Sequence, residues 1–140
     1  MDASSAIVEL MYLAANTDGE FKNIEALIIK TKIASYTKVF KNIDANEVKK
    51  ITENLIKRVR SNSLEELIDY YSKKIPSNLK LTAYAYALEI CARDFQLHES
   101  ELKFLRLLYT KFNIPKGTHQ ALIKSINIRC LTNFDATDTF

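Results

Sequence analysis

The stretch Ser63–Pro76, S-L-E-E-L-I-D-Y-Y-S-K-K-I-P, spells out one complete helix. Ser63 and Glu66 stand at capping-box spacing, so a hydroxyl and a carboxylate can satisfy two of the amide donors left open at a helix start. Leu64, Leu67, Ile68 and Tyr71 then recur at intervals of three and four, which puts them on one face. Pro76 stops the run, because its ring removes a donor and clashes with the preceding turn. The same grammar extends in both directions. Asp44 and Glu47 stand before a stripe of Val48, Ile51, Leu55 and Val59, and Ala26, Ile29, Ile33, Tyr36 and Phe40 form a longer stripe upstream. The first stripe is Ile7, Leu10, Met11 and Ala14, with Ser4 or Ser5 as its expected cap. Downstream lie Leu81, Ala85, Leu88 and Ala92, then Leu102, Leu105, Tyr109 and Phe112 before Pro115, then a short element around Leu122 and Ile126. With connections this short, the expected fold is all-α, a single compact bundle of about seven helices. It spans residues 4–126, with 127–140 as a frayed C-terminal tail.

Composition points the same way. The chain has 140 residues, of which 47% are apolar and 26% charged, the balance of an ordinary globular domain. Two glycines and two prolines are too few for a turn-rich β fold or for a glycine-rich phosphate loop. The net charge of +3 is small for a dedicated nucleic-acid binder, so no nucleic-acid partner is expected. Cys91 and Cys130 form neither a CxxC motif nor a disulfide framework, so free thiols in a reducing, cytoplasmic setting are expected. No basic leader with a long apolar run and no spanning segment is read from the sequence.

A shift of 76 residues lays one helix pair over another. Asp18 meets Asp94 and Glu25 meets Glu101, with Phe21 over Leu97 between them and Ala15 over Cys91 upstream. Ile29, Ile33 and Tyr36 meet Leu105, Tyr109 and Phe112. A helix–turn–helix unit used twice implies two pseudo-symmetric halves.

The segment A-A-N-T-D-G-E-F-K-N-I-E at Ala14–Glu25 resembles the signature of the TerB-like tellurite-resistance family. C-A-R-D-F-Q-L-H-E-S-E at Cys91–Glu101 sits where that family carries its second acidic motif, and L-x-x-L-Y-x-K-F-N-I-P at Leu105–Pro115 looks like its C-terminal half. The chain departs from the pattern at Phe95, where the family has glycine, and at Thr17 and Arg93, where it often has a small residue. The resemblance implies a helical domain without established catalysis, a role in tellurite resistance and other stress, partners often linked to the membrane, and divalent-cation binding.

The acidic motifs admit two chemistries. As helix-start devices, Asp18-Gly19 makes a tight corner, Lys22 and His98 fall at N-caps, and Glu25 and Glu101 fall at N3, where a carboxylate reaches back to the cap amide. As ligands, Asp18, Glu25, Asp94 and Glu101 offer hard oxygens suited to calcium, magnesium or manganese if the two corners meet. An EF-hand laid over Ala14–Glu25 puts Gly19 and Glu25 correctly, and Asn16 and Asp18 at early ligand positions, but Ala14 cannot coordinate. Neither histidine stands four residues from another histidine or a cysteine, so no zinc site is expected. His119 is expected on an exposed helix start and Cys91 in the core. No nucleophile, base and oxyanion arrangement is recognisable, so the chain is read as non-enzymatic. Lys49, Lys50 and Lys57, with Arg58 and Arg60, make one helix basic, a candidate surface for a protein partner or for the anionic inner face of a membrane. Tyr70, Tyr71, Tyr84 and Tyr86 cannot all face inward, since adjacent helical positions diverge, so at least one of Tyr70 and Tyr71 is expected at a surface.

Overall fold

The central element is a helix with almost no polar face. In α1 (Ala3–Ala15), every residue from Ala6 to Ala15 is buried, and Glu9 is the one charge in that run. A helix that is apolar all round has to be enclosed on all sides. The rest of the bundle supplies that enclosure in a computed structural model that describes residues 2–17, 29–30, 33, 37–92, 97–130 and 134. Among these residues the helices with full bounds are α1, α2 (Thr37–Phe40), α3 (Ala45–Ser61), α4 (Leu64–Lys74), α5 (Ser77–Cys91), α6 (Glu99–Lys111) and α7 (Lys116–Cys130), and there is no strand. Helices α3, α4 and α5 pack around α1, and α6 packs against α4 and α5.

The helix starts follow local chemistry. Asp2, rather than Ser4 or Ser5, caps α1, its carboxylate accepting the Ser5 amide at 2.8 Å. Ser4 instead donates to the Val39 carbonyl at 2.6 Å, tying the start of α1 to α2. Asp44 caps α3 by accepting the Glu47 amide at 2.9 Å. The Ser63–Glu66 capping box is reciprocal: the Glu66 amide donates to Ser63 Oγ, and the Ser63 amide to Glu66 Oε1. The Ser63 donors hold the Glu66 carboxyl below the usual range. Pro76 divides α4 from α5, as its missing amide requires, and Ile75 beside it is buried.

At the other end of α6 the chain closes in a Schellman motif. Asn113 takes a left-handed φ of 53°, the Ile114 amide donates to the Tyr109 carbonyl, and the Asn113 amide donates to Thr110. Asparagine is the side chain after glycine that tolerates this conformation best. Pro115 follows and its carbonyl accepts the His119 amide at 3.0 Å, which starts α7. Helix α7 extends through Cys130, and Asn127 holds the backbone of Phe134 with two hydrogen bonds.

Two apolar stripes each lose one member to the surface. Val59 on α3 is 42% exposed and Leu81 on α5 is 41% exposed, although both fall at helical spacing with buried neighbours. The core face of α5 is Ala83, Tyr84, Ala87, Leu88, Ile90 and Cys91. In α6 the sequence stripe names Leu105 and Phe112 correctly, but Phe104 and Leu108 complete the buried face. The described residues include some of the positions that the 76-residue shift pairs. Helices α1 and α5 end at matching positions, Ala15 and Cys91, and lie against each other, with Cys91 Sγ 3.9 Å from the Ala14 carbonyl. Ile29 and Leu105 are both fully buried, while Ile33 and Tyr109 are both half-buried. Tyr36 lies outside the described residues.

Candidate functional site

Helix α3 presents two faces of opposite character. Ile51 and Leu55 enter the core, while Lys49, Lys50, Lys57 and Arg60 are exposed. Lys49, Glu53, Ile56 and Arg60 follow one another at three- and four-residue steps and so share the outer face, with Lys57 four residues after Glu53 beside them. Ile56 is 53% exposed there, and Val59 borders it. The outer face is therefore basic with two β-branched apolar side chains standing in water. Lys50 reaches back to Glu47 at 3.7 Å, an exposed pair that lends little stability.

The inner face is fixed by a charged clasp whose arginine, Arg58, the sequence reading placed with the basic surface. Arg58 turns inward, and its Nε donates to Glu9 Oε1 at 2.8 Å. The Tyr71 hydroxyl donates to the same oxygen at 2.8 Å. The Glu9 side chain is completely buried, and its Oε2 has no hydrogen-bond partner. Burial raises the Tyr71 phenol far above its ordinary range, and the Glu9 carboxylate adds to the effect, so the hydroxyl keeps its proton for donation. The Arg58 guanidinium lies 4.5 Å from the Tyr70 ring centroid, and Lys74 lies 5.7 Å from the same ring. A sequence signal for this site exists: Glu9 is the lone charge in the apolar run Ala6–Ala15, and a buried charge requires a partner.

The tyrosines are used largely as core. Tyr71 and Tyr84 are fully buried, Tyr70 is half-buried edge-on to Tyr71, and Tyr86 packs against Phe40 with centroids 5.7 Å apart.

Of the acidic motif residues, Asp18, Glu25 and Asp94 lie outside the described residues. Glu101 is 4% exposed, and its Oε1 accepts the amide of His98 at 3.1 Å, the helix-start role. Asn16, two residues before Asp18, has a buried Oδ1 without a hydrogen-bond partner. Among the described residues, no three His, Cys, Asp or Glu side chains converge in a metal-holding group. Cys91 is buried. His119 is a correction to the sequence reading: it is fully buried, with Nδ1 2.8 Å from the Tyr84 hydroxyl. The reason is tertiary, since α5 and α6 bring Tyr84 and Tyr109 over the first turn of α7.

A groove of about 480 Å³ runs between α4 and α6, lined by Glu65, Ile68, Asp69, Leu107, Lys111 and Asn113. Its charged lining residues are paired. Lys111 meets Asp69 at 2.6 Å and Lys103 meets Glu65 at 3.6 Å. The Lys111 hydrogen bond, aided by Lys73, holds the Asp69 carboxyl below the usual range. The described residues include no helix long and apolar enough to cross a membrane. No family model, curated protein or solved structure matches the chain.

Proposed function

We propose that this chain is a non-catalytic TerB-like binding module, with two pseudo-symmetric halves, that docks on an anionic membrane surface through the outer face of α3. The observation that carries this reading is the exposure of Ile56 and Val59 among Lys49, Lys57 and Arg60, on a helix held to the core by Arg58 and Glu9. Basic side chains are drawn to anionic headgroups at about 1 kcal/mol each, and adjacent apolar side chains enter the headgroup boundary. Because the clasp fixes α3 in advance, docking needs no ordering of the helix. A stress-response role at the cytoplasmic side of the membrane is the setting that the family resemblance implies.

Co-sedimentation with phosphatidylglycerol-rich vesicles tests this. The wild type is expected to pellet with them and not with phosphatidylcholine vesicles. The triple substitution Lys49→Glu, Lys50→Glu, Lys57→Glu is expected to weaken binding by more than about 100-fold, since three contacts of about 1 kcal/mol are lost. High salt is expected to release the protein. Equal binding to both vesicle types, or none to either, sinks the membrane reading. Capture of an acidic protein by the wild type alone would then move the same face to a protein partner.

Asn16 supports a second reading of the acidic corner as a divalent-cation site. Its buried, unpartnered Oδ1 is a hard oxygen two residues from Asp18. Glu101 supports the competing helix-start role through its bond to the His98 amide. A thermal-shift panel with calcium, magnesium and manganese separates them. A cation held only by the folded state raises the melting temperature, and Asp18→Asn with Asp94→Asn is expected to remove the rise. No rise with any ion, together with a lower baseline for the double variant, would assign the motifs to helix starts.

A further inference from the structure

We propose that the Arg58 guanidinium and the Lys74 ammonium form a binding site for one phosphate monoester group, at the seam where α3 meets α4. The two helices pack against each other there, and both cations lie against one ring. Arg58 Cζ is 4.5 Å and Lys74 Nζ is 5.7 Å from the Tyr70 centroid. The two charges therefore stand within about 10 Å of each other, a Debye length, so salt screens their repulsion only in part.

Each cation has donors to spare. Arg58 meets Glu9 through Nε, and among the described residues its two Nη groups have no hydrogen-bond partner. Glu9 Oε2 is likewise unpartnered, so the pair is joined at one point and not by the two-point fork of which a guanidinium is capable. The Arg58 side chain is 29% exposed, so this end of it reaches water. Lys74 is exposed and forms no ion pair among the described residues. Its acidic neighbours on α4 are engaged elsewhere. Glu65 meets Lys103, Glu66 closes the Ser63 capping box, and Asp69 meets Lys73 and Lys111. Glu9 itself is completely buried and also accepts from Tyr71, and its single charge offsets one cation of the two.

These donors select the ligand. A phosphate monoester presents three terminal oxygens and a charge of about −1.5 to −2 at neutral pH. Two of its oxygens accept from the paired Nη groups of Arg58, and the third accepts from Lys74. A diester, with two free oxygens and one charge, cannot complete that set. Little ordering is required on the arginine side, because Glu9 and the Tyr70 ring already hold the guanidinium. Tyr70 is itself backed edge-on by Tyr71, with centroids 5.4 Å apart. Lys74, on its flexible stem, closes on the anion from the second helix. A soluble phosphate ester and the headgroup of a monoester lipid such as phosphatidic acid share this chemistry. The site uses neither Lys49, Lys50 nor Lys57 and does not rest on their membrane role.

Titration with inorganic phosphate at neutral pH, followed by NMR at the Arg58 Nε–H and the Tyr70 ring, tests the site on wild type, Lys74→Gln and Lys73→Gln. The wild type is expected to saturate, and to bind dimethyl phosphate about tenfold more weakly. Lys74→Gln is expected to lose about tenfold in phosphate affinity, the worth of one charge-assisted contact. Lys73→Gln removes the same charge one residue away, where it pairs with Asp69, and is expected to change the affinity by less than about twofold. Both variants alter exposed side chains and leave the Glu9 clasp in place. Shifts that grow without saturation, equal losses at Lys73 and Lys74, or equal affinity for phosphate and dimethyl phosphate would overturn the proposal. Vesicles then identify the source. Phosphatidylcholine vesicles carrying phosphatidic acid are compared with vesicles of matched charge carrying phosphatidylglycerol. An excess on phosphatidic acid that Lys74→Gln abolishes makes the ligand a lipid headgroup. Saturable phosphate binding without that excess makes it a soluble ester. Saturable phosphate binding with no vesicle binding at all sinks the membrane reading of α3 and leaves this site standing.

Discussion

Arg58→Leu is expected to destabilise the protein by about 3 kcal/mol, because it strands the Glu9 carboxylate in the core without its charge partner. Glu9 is completely buried and its second oxygen already lacks a hydrogen bond, so only the Tyr71 hydroxyl would remain to it. The estimate sits at the low end for a buried pair, since the Arg58 side chain is 29% exposed and part of the pair is already near water. The double substitution Glu9→Leu, Arg58→Leu is expected to be more stable than Arg58→Leu alone. It removes the stranded charge and leaves the neutral Tyr71 hydroxyl as the unsatisfied group, a penalty of about 1–3 kcal/mol. Urea midpoints at neutral pH read this directly, falling by roughly 2 M for the single variant if the slope is about 1.5 kcal/mol/M. Equal midpoints for wild type, single and double variants would show that the clasp holds nothing. A double variant whose loss equals the sum of the Arg58→Leu and Glu9→Leu losses would show that Arg58 and Glu9 act through different partners.

Phe104→Ala is expected to cost about 4 kcal/mol, whereas Leu81→Ala should stay within about 0.5 kcal/mol of wild type. Both residues are large, apolar and helical. Phe104 has no exposed surface, and its truncation leaves a cavity between α6 and the rest of the core. Leu81 is 41% exposed, and its truncation leaves only a smaller surface. The pair discriminates between two arrangements of the bundle. The apolar stripe read from spacing places Leu81 inside, while the packing of α5 on α1 and α6 places Ala83, Tyr84 and Ala87 there instead. A large loss at Leu81 with a small one at Phe104 would mean that α5 and α6 are rotated about their axes relative to this structure. Equilibrium unfolding of the two variants suffices.

The sequence by itself determined the elements whose causes are local. A capping box needs a hydroxyl and a carboxylate three residues apart, so the start of α4 is written in Ser63 and Glu66. A proline cannot continue a helix, so Pro76 and Pro115 mark the breaks before α5 and α7. The half-exposure of one of two adjacent tyrosines follows from helical geometry, and Tyr70 fills that role. The exposure of Lys49, Lys50 and Lys57 needs only their charge, because long cations stay in water unless paired. The other candidate site, at Asp18, Glu25 and Asp94, lies outside the described residues, so the structure speaks to it only through Glu101 and Asn16.

The tertiary structure alone decided what each face meets. Spacing defines a stripe to within one or two positions around a helix, but the direction of the core depends on neighbours distant in the chain. Leu81 and Val59 were left in water and Phe104 was enclosed for that reason. Arg58 was turned inward by a carboxylate 49 residues away, and His119 was buried by tyrosines from two other helices. Local rules act through bonds a few residues apart, whereas burial is a property of the space between elements, which no local stretch of sequence contains.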